Sequence, residues 1–284
     1  MTRDREVTGS GFTLLELAIV LVIIGLIAGG ILVGRDLIHA ATIRAAARQI
    51  ETFNIAAIAF RVKYGCLPGD CASAGDFGLG DGPYTIGNGD GAVGVTGVSA
   101  FEFEESEYVS FWHHLSRSGL IGASIMPPGP ARCPGDFSLC HAGTASPLSK
   151  LPVRVRWNFN GTLYGYGWSV THEPVLPGGS RWANHAFIMS PIAVVSAGTG
   201  MGGSAPMDAY QLDQKIDDGL PRDGHVRAWT ACTPLPLTCL VHEGPGGASS
   251  ANCVRSDVSP PAYNVAYAGT TWGGLCSVAV KSTF

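Results

Sequence analysis

Charge is scarce in this sequence. Only 14% of its 284 residues are Asp, Glu, Lys or Arg, and the formal net charge is −4. No basic tract occurs, which removes the electrostatic footprint of a dedicated nucleic-acid surface. The eight cysteines contain no Cys-x-x-Cys pair and are scattered, so the ligand spacing of a structural zinc site is lacking. No nucleotide-binding motif is present, and no Gly-x-Ser-x-Gly stands between a strand and a helix pattern. His113 and His114 are adjacent on a predicted helix and face different ways, so they offer no two-ligand face. His172, His185, His225 and His242 have no nucleophile or metal partner at a telling spacing and read as surface or locally bonded residues. No internal repeat is evident. These absences together argue against an enzyme.

Charge is missing most completely near the N-terminus. Leu17 to Val33 carries none, and from Phe12 to Gly34 the only charged residue is Glu16. A helix needs about 20 residues to cross a bilayer core, and this run suffices. A secretory signal peptide would place small residues for cleavage after its apolar core, whereas here Gly11 precedes it. Glu16 is the anomaly, because a carboxylate within an apolar span is costly without a partner. The preceding Arg3 and Arg5 are offset by Asp4 and Glu6, which weakens the positive-inside signal.

Proline and glycine are then absent from Arg35 to Tyr64, where alanine is abundant, so the helix is expected to continue. Ile43, Ala47, Ile50, Phe53, Ala57, Phe60 and Tyr64 recur at three- and four-residue steps as one apolar stripe, with Arg44, Arg48, Glu51 and Arg61 off it. Gly65 supplies a stop and Pro68-Gly69-Asp70 a turn.

The segment Gly11-Phe12-Thr13-Leu14-Leu15-Glu16 and its apolar continuation resemble the N-terminus of type IV pilins and type II secretion pseudopilins. That resemblance implies cleavage by a prepilin peptidase between Gly11 and Phe12, N-methylation of Phe12, and a pairing of Glu16 with the Phe12 α-amino group in its own or a neighbouring subunit. A pair cancels much of the cost of each charge in lipid. Further segments, Tyr64-Gly65-x-Leu67-Pro68-Gly69-Asp70, Phe111-Trp112-x-His114-Leu115 and Lys215-Ile216-Asp217-Asp218-Gly219-x-Pro221, resemble stretches of a subset of pilin-like proteins and extend the likeness to about residue 226. The implied organisation is a leader at 1–11, a transmembrane and filament-core helix at 12–34, its amphipathic continuation at 35–64 and an extracytoplasmic head at 65–284. The expected fold class is α+β, a long N-terminal helix packed on an antiparallel sheet with long disulfide-rich loops.

Within the head, 65–100 and 126–149 read as loops, 101–121 as a helix with Glu104, Glu105 and Glu107 at its start, and 205–217 as a short helix with Ala209, Leu212 and Ile216 inward. Val153 to Phe159 alternates with polar residues, Asn160-Gly161 makes a hairpin turn, and Thr162 to Thr171 returns as one aromatic strand. Ala186 to Val195 is a strand that Pro191 interrupts or places at an edge, and Val226–Trp229 and Val278–Val280 are shorter ones. The even cysteine count past the membrane segment reads as disulfides in an oxidising exterior. Spacing does not fix the pairing; the short loops favour Cys66 with Cys71, Cys133 with Cys140 and Cys232 with Cys239, leaving Cys253 with Cys276.

Two acidic groupings are candidates for calcium. Gly87-Asn88-Gly89-Asp90-Gly91-Ala92-Val93 places oxygen ligands of Asn88 and Asp90 between glycines, but it fails the EF-hand pattern, and Asp81, Glu102 or Glu104 would have to complete it. A solvated Asn-Gly and Asp-Gly turn explains the same residues. Asp213 and Asp217 share a helix face, and Asp217 and Asp218 lie at a helix C-terminus where the dipole disfavours them; a cation, Lys215 or Arg222 would offset this. Major pseudopilins bind calcium in a head loop, so the resemblance adds weight to Ca2+ without transferring ligands.

The expected function is a structural subunit, minor or specialised given its large cysteine-rich head, of a type IV pilus or type II secretion pseudopilus. Its partners would be other pilin or pseudopilin subunits through the N-terminal helix, a prepilin peptidase and an inner-membrane assembly platform. It would sit in the bacterial inner membrane with its head in the periplasm, then in a filament in the periplasm or at the cell surface. Alternatives are a pilus-tip adhesin or DNA-uptake pilin, and a periplasmic enzyme tethered by a pilin-like helix.

Overall fold

The structure is a computed structural model and describes residues 13–80, 86–93, 107–125, 147–151, 157–159, 162–164, 166–172, 185–191, 204–230, 253–255, 258–266 and 276–284. The chain divides into two compact units, Met1–Thr42 and Ile43–Phe284.

One helix, α1 (Leu14–Tyr64), runs through both. Its start is a capping box: the Thr13 N–H donates to Glu16 Oε2 at 2.8 Å and the Glu16 N–H to Thr13 Oγ1 at 3.2 Å. Its end is Gly65, left-handed at φ 75°, whose N–H closes on the Arg61 carbonyl at 2.9 Å. In the first unit every large apolar side chain from Leu14 to Val33 is exposed, and the helix is long and apolar enough to cross a membrane.

In the second unit the helix is amphipathic. Ile43, Ala46, Ala47, Ile50, Phe53, Ala56, Ala57 and Phe60 are buried, and Arg44, Arg48, Glu51 and Arg61 are exposed. The opposite face carries a second apolar row, Ile55, Ile58 and Val62, that stays exposed. The buried stripe meets α2 (Glu107–Arg117) and a strand through aromatic contacts. The Phe53 ring lies 4.7 Å from Trp112 and 5.8 Å from Phe187, and Phe284 closes on Phe111 and Phe187 at 5.7 and 5.8 Å. Such large side chains contribute about 1.5–3 kcal/mol each on burial.

Helix α2 stops earlier than its apolar pattern predicts. Gly119, at φ 73°, ends it with a Schellman pair, Leu120 N–H to Leu115 O and Gly119 N–H to Ser116 O, both 3.0 Å. Leu120 and Ile121 therefore follow the helix. Residues 101–106, with Glu104 and Glu105, lie outside the described residues.

The strands are β1 (Trp157–Phe159), β2 (Thr162–Tyr164), β3 (Tyr166–His172), β4 (His185–Pro191), β5 (Val226–Thr230), β6 (Val254–Arg255), β7 (Ala262–Tyr263) and β8 (Cys276–Lys281), with α3 (Pro206–Ile216) before β5. The main sheet has order β3-β4-β8-β5 and is antiparallel throughout. The single strand expected over Thr162–Thr171 is two: β2 pairs with β1 as a hairpin, and β3 belongs to the main sheet. The β6–β7 hairpin, two residues a side, is too short to leave a period in the sequence.

Pro191 ends β4 but not at a sheet edge. β8 pairs with β4 over Ala186–Ile188 alone, so Pro191 faces only Tyr166 of β3, and its missing N–H interrupts no second ladder. Helix α3 begins with Pro206 in its first turn and turns Ala209 and Leu212 fully inward, with Ile216 partly buried.

Among the described residues, two disulfides fasten the head. Cys66–Cys71 closes the turn that follows α1, and Cys253–Cys276 joins β6 to β8. Cys133, Cys140, Cys232 and Cys239 lie outside the described residues. Phe53→Ala should cost about 3–5 kcal/mol of stability, because its ring bridges α1, α2 and β4. Denaturant unfolding of the detergent-solubilised chain checks this, with exposed Ile58→Ala as a control expected near zero.

Candidate functional site

Gly11 and Phe12 lie outside the described residues. Glu16 is exposed at the first turn of α1, and Thr13 donates to its Oε2 from both backbone and hydroxyl, at 2.8 and 2.9 Å. The carboxylate is thus held at the helix N-terminus, where the dipole favours negative charge.

Among its described residues the head holds two acidic centres. The first joins segments that are far apart in sequence. Gly69 backs onto α2 so closely that a Cβ there would overlap the Glu107 carbonyl, and its N–H donates to His114 Nδ1 at 2.9 Å. Asp70 follows, buried, with its carboxylate aimed into the Gly87–Val93 loop. Gly89 and Asp90 donate to its Oδ1 at 2.6 and 3.1 Å, and Gly91 to its Oδ2 at 2.8 Å. Gly87 lies against the Asp70 backbone, where a side chain has no room. Asn88 N–H donates to Glu107 Oε1 at 2.9 Å.

Asn88 and Asp90 hold the loop by reciprocal bonds. Asp90 N–H donates to Asn88 Oδ1 and Asn88 Nδ2 to Asp90 Oδ2, both 2.9 Å. Asp70, Asp90 and Glu107 place carboxylate oxygens within 4.8 Å of one another. The loop nevertheless turns N–H groups, not carbonyls, toward the carboxylate. That is the polarity of an anion nest filled by the chain's own Asp70, and it does not suit calcium. Burial pushes the Asp70 carboxyl above its usual range and Asp90 adds to this, while the bonds from Gly91 and Gly89 pull it back. Asp81, Glu102 and Glu104 lie outside the described residues.

The second centre is the turn after α3. Asp213 is fully buried; it accepts the Tyr263 hydroxyl at 2.7 Å and the Gly219 N–H at 3.1 Å. Asp217 Oδ2 accepts the His225 N–H, and Gly224 packs against that carboxylate with no space for a Cβ. Asp218 Oδ1 accepts the Leu220 N–H at 2.8 Å, and Pro221 O receives the Ala228 N–H of β5 at 2.9 Å. Oxygens of Asp213, Asp217 and Asp218 lie within 4.8 Å of one another. Burial pushes Asp213 up to about 7; the Tyr263 and Gly219 bonds oppose this, and the charges of Asp218 and Asp217 add to it. Burial, and then the Asp213 charge, hold the Tyr263 hydroxyl protonated.

Sequence reading put Asp213, Asp217 and Asp218 together, and the structure does so. It missed Tyr263, whose two-residue strand gives no pattern. Asp70, read as a turn residue, and Glu107, read as an acid at a helix start, are 37 positions apart with no spacing signal to join them. His113, His114 and His185, expected at the surface or locally bonded, are buried, and their ring nitrogens reach backbone groups of distant segments.

No protein family, no curated protein and no solved structure matches the chain. By its own features it is an α+β protein whose long apolar N-terminal helix precedes a disulfide-bonded head with a small antiparallel sheet.

Asp213 fixes a pH dependence. Its carboxyl rises from an unfolded value of 3.8 to about 7 on folding, so the folded state binds the extra proton. Its contribution is present below about pH 4 and is lost as pH rises toward 7. Thermal melts of wild type and Asp213→Asn, in calcium-free buffer across that window, should show the gap shift in the variant's favour as pH rises. A gap constant with pH would contradict the burial argument.

Proposed function

We propose that the chain is a structural subunit, minor or specialised, of a type IV pilus or type II secretion pseudopilus. A prepilin peptidase cleaves it after Gly11 and Phe12 is N-methylated. One observation carries this reading: a single helix whose first part, Leu14 to Val33, exposes every large apolar side chain, while its later part supplies the buried stripe of the head. A tether alone needs no such continuity. A filament subunit does, because the helix that anchors it in lipid then has to pack in a protein bundle without bending away from its head.

Glu16 has a definite part in this. In lipid its charge is costly, and the Thr13 cap covers it from one side only. The freed amine of Phe12 is the nearest cation the sequence supplies after cleavage. Force for extraction comes from a separate ATPase and platform protein, since this sequence has no nucleotide motif. The expected location is the inner membrane with the head in the periplasm, then the filament.

Co-expression with a prepilin peptidase should yield a chain lacking residues 1–11 with one added methyl on Phe12, and Gly11→Ala should leave it uncut. Intact and N-terminal peptide masses decide this. Glu16→Ala should be processed but should fail to enter filaments in a sheared-fibre assay. An uncut wild-type chain would sink the proposal.

A calcium ion in the head is the second reading, and it is specific to Asp213, Asp217 and Asp218. There a buried carboxylate lies beside two like charges, and oxygen donors of this kind suit Ca2+. Millimolar calcium should raise the melting temperature by a few degrees, the size that about 1 kcal/mol of ligand stabilisation produces. Asp217→Asn should remove most of that rise, and a wild-type melt that ignores both calcium and EGTA counts against the site.

A further inference from the structure

Gly87–Val93 is attached to the head in a manner that depends on acidity. The segment forms no helix or strand. Six consecutive backbone N–H groups, Asn88 to Val93, are accepted by side chains. Asn88 donates to Glu107; Gly89, Asp90 and Gly91 donate to Asp70; Ala92 donates to Asp90 Oδ1 at 2.9 Å; Val93 donates to His185 Nε2 at 2.8 Å. Gly69, beside Asp70, donates to His114 Nδ1. Apart from the Asn88 amide, which shares the Asp90 N–H, each of these acceptors is a group that takes up a proton on acidification. The Gly87 N–H, which donates to the Cys71 carbonyl at 3.3 Å, has no such dependence.

The two imidazoles hold the two sides of this arrangement. His114 is fully buried on α2 and lies parallel to the Phe60 ring, centroids 5.8 Å apart; His185 is 4% exposed on β4 and stacks on Phe284 at 5.2 Å. Each nitrogen that accepts an N–H carries no proton of its own. Once protonated it becomes a donor and the bond is lost. Among the described residues, the titratable and charged groups around the pair include Asp70, Asp90 and Glu107 within the loop's grip, and His113, with its ring 6.3 Å from that of His114. His172 is the register partner of His185, and Lys281 stands opposite Ala186.

We infer that Gly87–Val93 is an acid-released latch, clamped over Asp70 while His114 and His185 are neutral and freed when both take up protons. The attached state requires unprotonated imidazoles, so its stability is present above their titration and lost as pH falls through it. An imidazole ordinarily titrates near pH 6.5, at about the boundary between a neutral and a mildly acid exterior. The inference is independent of the filament reading.

Hydrogen exchange of the full-length protein in detergent tests it, with rates corrected for intrinsic pH dependence. Between about pH 8 and about pH 5, peptides covering 87–93 should lose protection below the imidazole midpoint by up to roughly a hundredfold per unit, about tenfold for each of the two protons, while peptides covering 206–230 keep theirs. In the double variant His114→Gln, His185→Gln, the amide oxygens accept N–H bonds without titrating, and protection at 87–93 should persist down to about pH 5. Protection at 87–93 that is the same at both ends of the range overturns the latch. So does release unchanged in the double variant. Where the double variant does not fold, proton NMR of the wild-type imidazoles decides: titration coincident with release supports the latch, and release at clearly lower pH overturns it.

Discussion

The burial of one helical stripe, Ile43 to Phe60, is the contact on which the head depends. It brings Phe53 against Trp112 and Phe187 and sets Phe60 beside His114. The sheet alone would be a poor scaffold: its two inner strands, β4 and β8, share only three register pairs. Packing α1 and α2 against it supplies the apolar layer that a small antiparallel sheet needs on one face. A helix committed to this core has its axis fixed at its C-terminal half. Because no proline or glycine interrupts Arg35 to Tyr64, the helix is also unbroken toward the apolar half.

Around that core the polar groups are arranged in two nodes, and each joins segments that the chain separates widely. Asp70 ties the turn after α1 to the glycine-rich loop and to α2. Asp213 ties α3 to the β6–β7 hairpin, which the Cys253–Cys276 disulfide in turn fastens to β8. Both carboxylates are buried and both rise above the ordinary range for that reason, but their surroundings differ. Three N–H groups wrap Asp70 and supply the positive potential it needs. Asp213 has one N–H and one hydroxyl, and two acids beside it, so it needs a proton or a cation. That difference is why a single ion is better sought at the second node than at the glycine-rich loop.

The proposed role as a filament subunit gives the exposed surface of α1 a use. Leu14 to Val33 would be covered by lipid and later by other copies, and the outward row Ile55, Ile58 and Val62 continues apolar surface along the part of the helix that carries the head.

How far the sequence alone reached follows from the range of each interaction. Helix α1, its stop at Gly65, the stripe, the short helix α3 and the antiparallel pairing of β1 with β2 rest on contacts within a few residues, and their signals are local: missing breakers, a steady period, a turn dipeptide. The acidic turn at Asp213, Asp217 and Asp218 was legible for the same reason. The end of α2 was not, because Leu120 and Ile121 continue its apolar pattern and only the left-handed Gly119 breaks it. Nor was the division of Thr162–Thr171, since which strand pairs with which is settled by sheet order and not by alternation. Tertiary structure alone decided that Asp70 is a buried anion, that Glu107, His114 and His185 are acceptors for backbone N–H groups, and that Tyr263 meets Asp213. Each of these is a pairing across tens of residues, and a desolvated donor or acceptor takes whichever partner the packed core brings within about 3 Å.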